Sequence, residues 1–214
     1  MTEASAENVF HERELVQLAR AACEGDVAEI KRAVLNGADV NGRGNEQVTP
    51  LVWALKCRNL NGVTALLASG ADPNQRVLDG RSPVWLAATF DDSSFLKALA
   101  ANGGSLSGQR EDRNTSALLG AISAGFEHDY WDNYYFVLAS GIDINVRYGP
   151  EPGISAAEKA AALARFDKVL ELIERGYDKN LDRLEMITKG RVIDEASDQA
   201  KLKEQLLDKL DQRK

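Results

Sequence analysis

The chain repeats itself. Thr49-Pro50-Leu51-Val52-Trp53-Ala54 returns 33 residues later as Ser82-Pro83-Val84-Trp85-Leu86-Ala87, and each copy leads into a second apolar stretch that ends at a glycine. A unit of this size cannot bury its own apolar face, so the copies must stack into an elongated array. The glycine marker recurs at Gly37, Gly70, Gly103, Gly141 and Gly176, at intervals of 33, 33, 38 and 35 residues. A glycine there suits the left-handed backbone that ends a helix, where a side chain would clash. Units open at Thr49, Ser82, Thr115 and Ser155. Thr or Ser can cap a helix at that place, and Pro50 and Pro83 fit its first turn, where no amide donor is needed.

The Thr/Ser-Pro openings, the closing Gly70-Ala71-Asp72-Pro73-Asn74 and the Asp79-Gly80 ahead of the second opening resemble the ankyrin repeat. The resemblance implies an all-α solenoid of about five to six helix pairs. Hairpin fingers at 42–48, 75–81 and 108–114 would project between units, with first helices lining a concave side and second helices forming the back. The organisation expected is an irregular or disordered lead-in at 1–12, an N-terminal capping repeat at 13–41, repeats at 42–74, 75–107, 108–145 and 146–180, and a degenerate C-terminal cap at 181–214. The first unit lacks a Thr-Pro start, as a cap turned to water on one side should. In the last, Leu202, Leu206, Leu207 and Leu210 give a charged helix one apolar stripe.

The fourth unit is irregular. Thr115 to Gly141 spans 26 positions, whereas Thr49 to Gly70 and Ser82 to Gly103 each span 21. The five extra residues, around Gly125 to Tyr130, are expected as a surface loop between two helices. Counting back from Gly141 puts Trp131, Tyr134, Val137 and Leu138 in the buried register and leaves His128, Tyr130, Tyr135 and Phe136 for the surface. The following finger is long as well, with a stiff turn expected from Tyr148 to Gly153.

Catalysis finds little support. The chain has 2 histidines, and Glu127-His128-Asp129 supplies too few ligands for zinc, so it reads as a solvated loop. Without a glycine-rich phosphate loop, no catalytic, cofactor or metal residue is expected. Cys23 and Cys57 lack metal or redox spacing and are expected as two buried reduced thiols. A net charge of −7 argues against nucleic acid and favours a partner with a basic or neutral contact face. No run of 18 apolar residues is present, and residues 1–8 lack a basic start and an apolar core. The expected location is therefore cytoplasmic as the chain stands, or periplasmic if a leader preceded Met1, and the free chain is expected to be a monomer.

What remains is a binding surface, which the resemblance places on finger tips and exposed first-helix positions. These are Asn45, Glu46 and Gln47 in the first finger, Arg76, Leu78, Asp79 and Arg81 in the second, and Arg110, Glu111, Asp112 and Arg113 in the third. Trp53, Lys56, Trp85, His128, Tyr130 and Tyr148 complete the set. Trp85 and Val52 stand where most members of the family carry the histidine of Thr-Pro-Leu-His, so the usual hydrogen bond between units is absent. Trp53 and Trp85 are then either packing between repeats or partner contacts. The run Gln47 to Leu55, the Arg175-Gly176-Tyr177-Asp178 closing and the polar last helix resemble bacterial ankyrin proteins associated with secreted toxins. That resemblance implies a dedicated inhibitor or immunity protein for one antibacterial effector, often lipase-type, of the kind delivered between cells by type VI secretion. The alternative is a scaffold or adaptor with several intracellular partners.

Overall fold

Local capping chemistry sets the unit boundaries. In the computed structural model, which describes residues 5–108 and 116–213, the Thr49 hydroxyl accepts from the Val52 amide at 3.2 Å and the Ser82 hydroxyl from the Trp85 amide at 3.0 Å. Pro50 and Pro83 sit in the first turns that follow. In the fourth unit the cap is Ser116, one residue later than expected, and Thr115 lies outside the described residues. Ser155 forms a reciprocal capping box with Glu158.

Twelve helices result among the described residues, in six antiparallel-type pairs: α1 (Arg13–Glu24) with α2 (Val27–Leu35), α3 (Pro50–Lys56) with α4 (Leu60–Ala68), α5 (Pro83–Ala88) with α6 (Ser93–Ala101), α7 (Ala117–His128) with α8 (Asp132–Ala139), α9 (Ala156–Ala162) with α10 (Phe166–Glu174), and α11 (Leu181–Gly190) with α12 (Asp198–Asp211). First helices touch in series from α1 through α3, α5, α7 and α9 to α11, and the second helices stack behind them. One continuous core runs through the array, from Leu18 and Ile30 to Leu206 and Leu210. The periodic glycines Gly37, Gly70, Gly103, Gly141 and Gly176 all take positive φ, from 72° to 102°.

A polar ladder joins the layers. The Asn41 side chain donates to the Gly70 carbonyl at 3.1 Å and accepts from the Asp72 amide at 2.8 Å. Asn74 does the same to Gly103 and Ser105, at 3.0 and 2.8 Å, and Asn145 to Gly176 and Asp178, at 3.3 and 3.1 Å. Each asparagine is held ready by its own amide bonding to the aspartate two residues earlier, Asp39, Asp72 or Asp143. The helices also approach closely: a Cβ on Gly62 of α4 would lie 1.9 Å from the Ala22 carbonyl of α1.

Four features differ from the sequence expectation. The extra residues of the fourth unit do not form a loop but extend α7 to 12 residues, against 7 in α3 and 6 in α5, because Leu118, Leu119, Ala121, Ile122 and Ala124 keep helical spacing and bury. Tyr134, Val137 and Leu138 are buried as expected, whereas Trp131 and Phe136 are half-buried. The Lys168 ammonium lies 4.6, 5.1 and 4.7 Å from the Trp131, Tyr134 and Tyr135 rings, which lets this aromatic cluster enclose a cation.

Residues 5–12 of the lead-in, irregular apart from one short 3-10 turn, pack onto the array. Phe10 is 1% exposed and packs edge-on against Trp53, with ring centroids 6.1 Å apart. The Asn45 amide donates to the Val9 carbonyl at 2.8 Å, and its side chain to the Asn8 carbonyl at 2.9 Å. Through Ala6 and Phe10 this segment gives Leu15, Ala19 and Trp53 the apolar cover that the end of a stack otherwise lacks.

The cysteines are not reduced thiols: Cys23 and Cys57 form a disulfide, with their Cα atoms 5.3 Å apart. Their separation of 34 residues is about one repeat, so stacking sets the end of α1 beside the end of α3. Neither residue is fully buried.

The long finger is a two-stranded hairpin, β1 (Arg147–Tyr148) against β2 (Ile154–Ser155). Beneath it Glu158, fully buried, meets Arg147 at 2.6 Å and Arg183 of α11 at 3.2 Å. Paired in this way a buried carboxylate is tolerated, and removing one partner is costly.

The ladder predicts that Asn74→Ala, which removes two hydrogen bonds without touching the core, lowers stability by about 1–2 kcal/mol. In thermal unfolding this is a fall in Tm on the order of 5 °C.

Candidate protein-binding groove

The fingers arise where the chain leaves one layer and climbs to the next, so consecutive fingers lie side by side. The Leu78 amide in the second finger donates to the Glu46 carbonyl in the first at 2.8 Å. Between them opens a cavity of about 380 Å³. Its floor is apolar, from Val48 and Val52 of the first full unit and Val77 and Leu86 of the second. Its rim is charged, with Glu46 and Lys56 on one side and Asp79 and Arg81 on the other. Leu78 stands at the finger tip, 73% exposed.

Arg81 is fixed by Asp79. Its backbone amide donates to one carboxylate oxygen at 3.0 Å and its Nε to the other at 2.6 Å. That hydrogen bonding outweighs partial burial and holds the Asp79 carboxyl below the usual carboxylate range. The guanidinium also lies over the Trp85 ring, 5.6 Å from its centroid. A planar cation stacked on an indole and clasped by a carboxylate is an ordered surface feature, and such side chains lose little freedom on contact with a partner.

A second, wider groove of about 1,050 Å³ adjoins the first and shares Glu46, Val48 and Lys56 with it. It runs along the cap side, past Trp53 to the Cys23–Cys57 disulfide. Together the two form one concavity over the cap and the first two full units.

The expected contact residues divide accordingly. Glu46, Lys56, Leu78, Asp79 and Arg81 converge on the cavity. Trp53 is 6% exposed and belongs to the packing between units, while Trp85 is half-buried under Arg81. Asn45 faces the wider groove, but its side chain is engaged by Asn8 and His11. Arg43 donates to the Gln47 side chain at 2.7 Å and to the Arg76 carbonyl at 3.4 Å, tying the two fingers together. Tyr148 is 3% exposed and packs under its hairpin, which removes it from the surface.

His128 and Tyr130 are exposed, with rings 5.5 Å apart, but lie elsewhere. They lie at the C-terminal end of α7, His128 as its last residue and Tyr130 just beyond it, roughly 18 Å along the helix from its finger end. Arg110, Glu111, Asp112 and Arg113 lie outside the described residues. Sequence reasoning missed the apolar floor, since Val48 and Val77 read as residues of polar fingers and Leu86 only as part of the repeated opening. It missed the disulfide too, although two cysteines one period apart on first helices was the available signal.

Among the described residues, no three His, Cys, Asp or Glu side chains are grouped to hold a metal ion, and no helix is long and apolar enough to cross a membrane.

Comparison with known proteins agrees with the fold. Residues 46–77, which form the first finger, α3 and α4, match the family model for the ankyrin repeat. Protein PhlB of Serratia liquefaciens is 36% identical over 110 residues, covering 51% of this chain and 48% of PhlB, so the match spans about half the length of that relative. Among solved structures, the ankyrin repeat domain of Bcl-3 superposes with a TM-score of 0.64 at 23% identity, over 77% of this chain and 73% of that one. The human ASB11 ankyrin repeat domain gives 0.59 at 21% identity, over 92% and 97%. The chain thus carries an ankyrin repeat at residues 46–77 and has the fold of ankyrin-repeat domains.

Proposed function

We propose that this chain is a non-enzymatic inhibitor that binds one protein partner in the concavity over its first two fingers. The observation that carries the reading is the preformed cavity, with an apolar floor, a charged rim and a clasped arginine. A surface that is already ordered spends little of its binding energy on ordering. The partner is a secreted antibacterial effector with a basic or neutral contact face, lipase-type effectors being the class the sequence resemblance suggests, and the chain acts as its immunity protein. Supporting this are the bacterial relative PhlB and the excess of acidic over basic residues, 33 against 26. Inhibition then comes from occupancy alone, since a bound array blocks whatever surface it covers.

The test is binding to the product of the adjacent gene. One tight complex is expected, and the double variant Lys56→Glu with Leu78→Asp should weaken it about 30-fold or more, given the usual weight of central contacts. Both side chains project to solvent, so the variant should keep the wild-type circular dichroism and Tm. Wild-type affinity in the variant would remove this face from the reading, and recovery of many weak partners in place of one would favour a general adaptor.

The rim clasp also predicts a pH response. Because the Asp79 pKa is lowered in the fold, the clasp is intact above the ordinary carboxylate value near 4 and is lost as pH falls through the lower folded value. Tryptophan fluorescence should report release of Arg81 from Trp85 with a midpoint below about pH 4. The transition should be absent from Asp79→Asn and from Trp85→Phe.

A further inference from the structure

The capping unit is the weak end of any repeat array, since one of its faces meets water in place of a neighbour. Here that unit and the lead-in docked on it supply more than half of the wider groove, through α1 and residues 5–9. Its close approach to the first full unit runs along α1, where Gly62 abuts the Ala22 carbonyl and the Asn59 side chain donates to the Cys23 carbonyl at 3.1 Å. At the same edge, Cys23 of α1 is bonded to Cys57, which caps α3. Cys57 follows Lys56, the residue shared by both grooves, and precedes Arg58, which pairs with Asp91 of the next unit and lies 4.3 Å from the Phe90 ring centroid. The bond therefore fixes the end of α3 between the cap on one side and the second full unit on the other.

We propose that closure of the Cys23–Cys57 disulfide is a redox-controlled step that locks the cap onto the array and completes the cap-side wall of the partner groove, so that the protein reaches its working form in an oxidising compartment. The inference rests on the contact-surface reading above. Closure is a thiol–disulfide exchange. One cysteine thiolate attacks the disulfide of an oxidant, a protein dithiol oxidase or glutathione disulfide, and releases one of its sulfurs as a thiol. The second thiolate then attacks the mixed disulfide. Cys23 and Cys57 together lose two protons and two electrons, and the oxidant leaves as its dithiol or as two thiols. Both sulfurs lie at the groove wall and neither residue is fully buried, so the oxidant can reach them. Disulfides of this kind persist where the surroundings are oxidising and are rare where thiols are kept reduced.

The test compares the full chain before and after a phosphine reductant, beside the double variant Cys23→Ser with Cys57→Ser. Oxidised protein should take up no iodoacetamide, and reduced protein two. On reduction, amide exchange across α1 and α2 should accelerate by on the order of 500-fold, as expected for opening a loop of this length. Acrylamide should then quench Trp53, while exchange in α9 and α10 stays unchanged. The double variant should match the reduced protein in both readouts. Equal exchange in α1 and α2 before and after reduction, or two alkylated thiols in protein matured under oxidising conditions, would overturn the proposal. None of these readouts involves the partner, so a failed contact surface would show in the binding test and leave these results as predicted.

Discussion

Three asparagine side chains carry the polar connection between layers, and each works in two directions. Asn41, Asn74 and Asn145 donate to a glycine carbonyl in the next layer and accept from the amide two residues beyond it. Apolar faces make the layers stack, but a purely apolar interface can slide. A bidentate amide at each turn fixes rotation and spacing, since a shift of one residue would leave both partners unpaired. Two layer boundaries lack this device among the described residues: the last one, into α11, and the one between the second and third full units. At the latter, Ser107 stands where the third full asparagine would be, and the contact is made from the other side. Asn133, 2% exposed at the start of α8, donates to the carbonyls of Ala87, Ala88 and Phe90 at 3.2, 3.2 and 2.8 Å. The unit with the broken marker and lengthened helix thus reaches its neighbour through a different asparagine.

The two ends of the array are secured by different means. At the N-terminal end a covalent bond, a docked aromatic and close backbone contact hold a cap that has limited apolar area to bury. At the C-terminal end a buried carboxylate between two arginines joins the long hairpin to α9 and α11, and Leu206 and Leu210 of α12 close the core. Candidate recognition lies nearer the covalently secured end, where the first two fingers are cross-linked by Leu78 to Glu46 and by Arg43. A site built from protruding turns needs such bracing if it is to be ordered before the partner arrives.

Much of this was legible in the sequence because the period acts on every unit alike. The glycine interval gave the layers, the Thr/Ser openings gave the caps, and the resemblance put Glu46, Lys56, Leu78, Asp79 and Arg81 on the finger and first-helix positions that line the candidate groove. What the pattern left out depends on geometry between units. Trp53 and Tyr148 belong to residue types that dominate interfaces, yet each is consumed in packing, Trp53 by a phenylalanine outside the repeat. The α7 extension was read as a loop because an insertion in a repeat says where residues are added and not which conformation they take. The disulfide escaped notice because spacing rules for cysteines assume contact along the chain, whereas stacking brings together residues one period apart.

Native-state amide hydrogen exchange at the Asp72, Ser105 and Asp178 amides bears most directly on the claim that asparagines register the layers. These amides lie in turns outside any helix and are bonded only to asparagine side-chain oxygens among the hydrogen bonds described. If the ladder holds the array, they exchange slowly, together with the helices they connect. Exchange at the rate of an unstructured peptide, with the helices still protected, would contradict it.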